Sequence, residues 1–192
     1  MDLSLQNLLA LARFTVQSPR QGARQVMQAN LPIRARWVAL GITAILSALL
    51  AHVAMGLMPA EMQAQMGQGM SPFLTALVQA GLMVVSVHVA YGVGRLFGGN
   101  GTFDDALILM VWLQFILLVL QVVQILTQIV LPPLSPLVNL ASVLLFLWLL
   151  SHFVAELHGF SSVAKTFFGI LGTMLLVGFL LAMLLMPLMG MG

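Results

Sequence analysis

Four ionisable side chains fall at one level of a run of apolar segments: His88 and Arg95, seven residues apart, and His152 and Glu156, four apart. On helices, those intervals put each pair on one face. An unpaired charge inside hydrocarbon is costly, so such groups are expected to pair or to serve a pathway. A cross-helix pair between Arg95 and Glu156, flanked by the two imidazoles, would neutralise both charges and lock the helices together. Two other readings stand beside it: a proton or substrate relay, and plain snorkelling of Arg95 and Glu156 to the headgroups. The order His152-x-x-x-Glu156-x-His158 loosely resembles a metal-ligand spacing but lacks the HExxH arrangement.

Two further constellations bear on chemistry. Gln114, Gln121, Gln124 and Gln128 recur at intervals of seven, three and four, so their amides share one helical stripe. Amides in hydrocarbon need partners, which makes the stripe interhelical glue or, in the rarer case, a polar pathway. His52 is followed at helical intervals by Met55, Met58, Met62, Met66 and Met70, while Met183, Met186, Met189 and Met191 crowd the C-terminal end. Nine of the 14 methionines thus cluster in two places. Thioethers select Cu(I), and His52 with Met55, Met58 and Met62 is the candidate metal set; apolar filling by an unbranched side chain is the competing use of the same residues.

Catalytic signatures are missing. Asp104 and Asp105 are adjacent and face different ways at a helix start, where they favour the dipole. Ser86 and His88 stand two apart on one helix and do not face each other. With no cysteine there is no thiolate nucleophile, disulfide framework or Cys-ligated metal. The chain is read as non-enzymatic, with no cofactor.

The elements that must position these groups follow from composition. A chain of 192 residues that is 61% hydrophobic and 6% charged cannot clothe a water-soluble surface. Five apolar spans lie at about 35–58, 73–96, 105–131, 136–157 and 163–187, each long enough for a hydrocarbon core of about 30 Å. The fold class expected is all-α: five transmembrane helices preceded by a short amphipathic interfacial segment. Residues 1–33 form that segment, with Leu5, Leu8, Leu9, Ala12 and Val16 on one stripe and a second, polar helix opening at Ser18-Pro19; residues 34–192 form the transmembrane domain. Asp2, Gln6 and Asn7 argue against reading the start as a cleaved signal. Pro132-Pro133-Leu134-Ser135-Pro136 makes a tight hairpin between the third and fourth spans.

All seven Lys and Arg residues fall on one side of these spans. Arg13, Arg20, Arg24, Arg34 and Arg36 precede the first, Arg95 ends the second and Lys165 opens the fifth. The positive-inside rule then expects a cytoplasmic N-terminus and, after five crossings, a periplasmic C-terminus. A net charge of +2 suits anionic lipid and is too small for a nucleic-acid footprint. The two loops on the basic side are alike: each leaves through a charged residue, Leu, an aromatic or His, and Gly, and re-enters through a Thr or Ser cap. Duplication of a helical hairpin and coincidence both fit.

The Pro19-containing lead-in, the turn Gly98-Gly99-Asn100-Gly101-Thr102-Phe103, and Trp148 followed by His158-Gly159-Phe160-Ser161 and Lys165 give the chain a layout that resembles the Yip1-domain family of five-span membrane proteins. The resemblance covers nearly the whole chain. It implies a cytoplasmic N-terminus and an outside C-terminus, and eukaryotic relatives bind prenylated Rab GTPases and partner membrane proteins. This chain shows no long N-terminal domain of their kind, and its Ala/Met/Gly-rich, Cys-free composition suggests a multi-pass protein of a bacterial inner membrane. The function expected is that of a scaffold or accessory protein whose partners are membrane lipids and other integral membrane proteins or a second copy of itself, with no nucleic acid. A small transporter or channel, copper-related through the Met cluster, is the alternative.

Overall fold

Five apolar runs bounded by capping and breaking residues become five long helices in the computed structural model, which describes residues 4–58, 60–65 and 70–189. The order is α1 (Leu5–Gln17), α2 (Pro19–Met27), α3 (Ile33–Gly56), α4 (Ala60–Gln65), α5 (Pro72–Leu96), α6 (Phe103–Val130), α7 (Ser135–His158) and α8 (Val163–Met189), with a 3₁₀ turn at Pro132–Leu134 before α7. Ser71 caps α5 by accepting from the Leu74 N–H, Thr102 caps α6 through the Asp105 N–H, and Ser162 accepts from the Lys165 N–H at the start of α8. Helices α5 and α7 both end before a glycine with positive φ, Gly98 at 83° and Gly159 at 71°, a backbone that glycine adopts without steric cost. All five long helices are apolar enough to cross a membrane, and the chain is a multi-pass membrane protein.

Helix α6 is the axis of the bundle. Half of its apolar window is buried, 50% against 6% for α8. Ala106 through Leu113 are buried on every face, because α3, α5 and α7 surround them and α2 closes the remaining side. The lead-in helices share this core rather than standing apart from it, with Leu11, Ala12, Ala23 and Val26 joining the residues of α6 in one cluster. The indole N–H of Trp112 donates to the buried Thr15 hydroxyl at 3.2 Å, and Gly22 lets α2 cross directly over Thr15.

The apolar stripe expected on α1 is divided. Leu8, Leu11, Ala12 and Thr15 turn toward the bundle, whereas Leu5, Leu9 and Val16 are exposed on an adjoining strip. A helix apolar over two neighbouring faces docks with one and gives the other to lipid, which is the behaviour of an interfacial helix tied to a membrane domain. Helix α8 is the opposite extreme: it leans on α7 and leaves most of its apolar surface open.

Candidate functional site

The end of the bundle that carries the arginines is where polar chemistry concentrates, and its most enclosed ionisable group is an imidazole. His158, the last residue of α7, is 2% exposed. Its ring is walled by glycines: a Cβ at Gly94 or Gly99 would overlap the ring itself, and one at Gly101 would press on the ring and on Leu157. The Gly101 N–H donates to Nδ1 at 3.3 Å, so Nδ1 accepts and the proton sits on Nε2, which donates to the Ala90 carbonyl at 3.0 Å. The Asn100 N–H donates to the His158 carbonyl, and the Phe160 ring stacks on the imidazole at 5.5 Å. One neutral ring thus bolts the end of α7 to α5 and to the loop opening α6.

Beside it, Glu156 is held by α2. Arg20 donates from Nε to Oε2 at 3.0 Å, and Arg24 donates to Oε1 from Nε at 2.9 Å and from a terminal nitrogen at 2.6 Å. Arg20 also reaches the Phe160 carbonyl at 2.6 Å. The carboxylate keeps 11% of its side-chain surface and both oxygens are engaged. The expected Arg95–Glu156 pair is therefore incorrect. Arg95 is exposed and joins no ion pair among the described residues, because Arg20 and Arg24, a turn apart on a helix folded back over the bundle end, occupy the carboxylate first.

The imidazoles expected to flank that pair do not meet it. His88 is exposed, donates from Nδ1 to the Val84 carbonyl at 2.8 Å, and lies 5.0 Å from the Phe103 ring. Phe103 gathers Trp37 and Tyr91 as well, an aromatic cluster at the level of a membrane interface. His152 is half-buried against Trp148, with ring centroids 4.1 Å apart, and its Nδ1 meets the Trp148 carbonyl.

Sequence reasoning used Arg36 only as a topological charge, yet it is 8% exposed and structural. Its guanidinium donates to the Leu31 carbonyl at 2.9 Å and to the Asp104 carbonyl, and lies 3.8 Å from the Asp105 carboxylate. Asp105 in turn accepts from the Thr102 hydroxyl at 2.7 Å, closing a reciprocal cap at the start of α6. Arg36→Ala is expected to lower stability in micelles by about 2 kcal/mol, and Arg36→Lys to recover little of it, since a point charge cannot span two carbonyls and a carboxylate. Full recovery by Lys, read from denaturant midpoints, would show that charge alone matters.

The glutamine stripe divides by depth. Gln114 donates to the Ser47 hydroxyl at 2.9 Å and Gln121 to the Ser47 carbonyl at 3.3 Å, tying α6 to α3. Gln124 and Gln128 have no hydrogen-bond partner among the described residues. They line an open groove of about 360 Å³ between α3, α6 and α7, together with Gln121, Met55, Met58, Ser135 and Asn139. The Ser135 hydroxyl is buried there without a partner.

Among the described residues, His52 is not brought together with the methionines of the candidate metal set. Both ring nitrogens are engaged by carbonyls, Nδ1 with Ala48 at 2.8 Å and Nε2 with Met70 at 3.0 Å, while Met55 and Met58 turn into the groove, of which His52 is no part. The side chains of Met62, Met66, Met186, Met189 and Met191 lie outside the described residues. A Cβ at Gly94 would overlap the imidazole, whereas one at Gly92, Gly169, Gly172 or Gly178 would meet open space.

A family model described as Yip1 domain matches residues 14–185, a stretch running from the lead-in through α8. Comparison with curated proteins and with solved structures returned no match.

Proposed function

Because the chain belongs to the Yip1-domain family, we propose that it acts as a non-enzymatic scaffold or accessory protein that binds other integral membrane proteins in a bacterial inner membrane. The observation that carries this reading is the set of unspent polar groups in the groove away from the arginines. Gln124, Gln128 and the buried Ser135 hydroxyl lack partners among the described residues, and they sit on a face bordered by apolar, lipid-facing surface. A helix from another protein that presents a polar group satisfies them at about 0.6–2 kcal/mol per contact, and Met55 and Met58 supply an adaptable apolar border.

The gathering of all seven basic residues at the opposite end supports a cytoplasmic N-terminus, and with that orientation the groove lies in the outer half of the bilayer. A conduit is the weaker reading, because Gln114 and Gln121 are committed to Ser47 and the polar stripe is thereby interrupted. A photocrosslinker at Gln128, activated in native membranes, is expected to trap a discrete membrane protein. Gln124→Leu with Gln128→Leu should reduce recovery of that protein about tenfold. Recovery of a lone monomer with no adduct after mild solubilisation would overturn the proposal.

A further inference from the structure

Between α8 and the wall formed by α5 and α6 lies a second cavity, of about 580 Å³ and open on one side, a size typical of ligand sites. It exists because α8 leans on α7 and stands away from the other helices. Its walls are apolar, with Met83, Val89, Leu117 and Ile170 among them. The hydroxyls of Ser86, Thr166 and Thr173 do not alter that, since each donates to a carbonyl of its own helix or cap: Leu82, Ser162 and Gly169 respectively. Deep in the groove, the Gln114 amide nitrogen is already committed to Ser47.

The lining changes character at the basic end. Lys165 is exposed at the mouth and joins no ion pair among the described residues, and the neighbouring Ser161 hydroxyl has no partner among them. From Lys165 to Met174 the groove follows α8 for nine residues, about 14 Å at 1.5 Å per residue. One leaflet of a bilayer is about 15 Å of hydrocarbon, half of the core thickness. An apolar slot one leaflet deep, with an unpaired cation and a free hydroxyl at headgroup level, has the dimensions and polarity of a single lipid.

We propose that this groove binds one anionic phospholipid from the leaflet at the basic end, with an acyl chain between α8 and the α5–α6 wall and its phosphate on Lys165 and Ser161. Charge decides the class: Lys165 and the equally unpaired Arg95 leave a local positive excess, which a net-negative headgroup neutralises and a zwitterionic one does not.

The test uses the full-length chain purified in mild detergent and native mass spectrometry with phosphatidylglycerol or phosphatidylcholine of equal chain length. One phosphatidylglycerol should be retained per chain in preference to phosphatidylcholine. Lys165→Gln should reduce that preference about fivefold, the effect of one basic residue at an anionic surface. Gly169→Leu, whose side chain enters open space in the groove, and Val89→Phe from the opposite wall should each abolish retention of both lipids without lowering the melting temperature. Equal retention of the two lipids by the native chain, retention that survives both filled variants, or a lipid-free homodimer that Gly169→Leu dissociates would overturn the proposal; the last would mean that a second copy fills the groove.

Discussion

Gly94→Ala is expected to destabilise the bundle by about 2–3 kcal/mol, whereas Gly92→Ala, two residues earlier on the same helix, should be neutral or stabilising by up to about 1 kcal/mol. The two substitutions are chemically identical and share a helical context, so propensity favours alanine in both. What differs is the space. At Gly92 the new methyl meets nothing, while at Gly94 it overlaps the His158 ring, which Gly99, Gly101 and Phe160 confine from other sides. The ring cannot retreat without giving up the Ala90 carbonyl and the Gly101 N–H. His158→Ala alone should also be costly, at about 2–4 kcal/mol, since it leaves a cavity and strips the Gly101 N–H of its acceptor. Combined with Gly94→Ala, however, it removes the object of the clash, and the two costs should fall short of their sum by at least about 1 kcal/mol. Denaturant titration of the four variants in mixed micelles reads all of these terms. Simple additivity would show that the glycine is needed for some reason other than the ring.

That cradle was half visible in the sequence. The loops Gly98-Gly99-Asn100-Gly101-Thr102 and His158-Gly159-Phe160-Ser161-Ser162 read as two copies of one exit-and-re-entry pattern, and locally they behave alike: Gly98 and Gly159 both take positive φ, and Thr102 and Ser162 both cap the helix that follows. What no local pattern reveals is that one loop forms the socket for the other. Phe97, in the position corresponding to His158, is exposed, while His158 is enclosed by the first loop's glycines. The helices themselves were legible because apolar length and a terminating Ser, Thr, Gly or Pro act within a few residues. The observed α3 (Ile33–Gly56) and α5 (Pro72–Leu96) lie within about two residues of the expected spans.

Helical arithmetic failed where the partner came from outside the spans. Spacing put Arg95 and Glu156 at the same depth, and depth is all that a one-dimensional reading of crossing helices supplies. Whether a lead-in helix folds back over the bundle depends on side chains far away in sequence, here Leu11, Ala23 and Val26 against α6. The glycines of α8 teach the same lesson in reverse. Gly169 and Gly172, one turn apart, share a helical face, yet among the described residues α8 packs chiefly on α7, and small residues draw helices together only where a second backbone arrives.

Glu156→Gln is expected to undock the lead-in while leaving the five-helix bundle intact. The native carboxylate receives three hydrogen bonds from two guanidiniums, and a neutral amide can accept on one atom only. Charge-assisted bonds of this kind are worth more than neutral ones, but Arg20 and Arg24 retain 36% and 62% of their side-chain exposure, so solvent screening limits the loss to about 1–2 kcal/mol. Arg20 keeps its bond to the Phe160 carbonyl, which argues for local opening rather than detachment. An opening free energy lowered by that amount raises the open population about tenfold. Trypsin reads it directly, because Arg20 and Arg24 are themselves cleavage points, sheltered while α2 lies on α6 and α7. Vesicles oriented with the basic end outward should show cleavage there about ten times faster in Glu156→Gln than in the native protein, with cleavage at the exposed Arg95 and Lys165 equal in both. High salt should accelerate cleavage of the native protein more than of the variant, since only the native protein has the ion pairs to screen. Equal rates in the two proteins would mean that the apolar contacts of Leu11, Ala23 and Val26 hold the lead-in without help from Glu156.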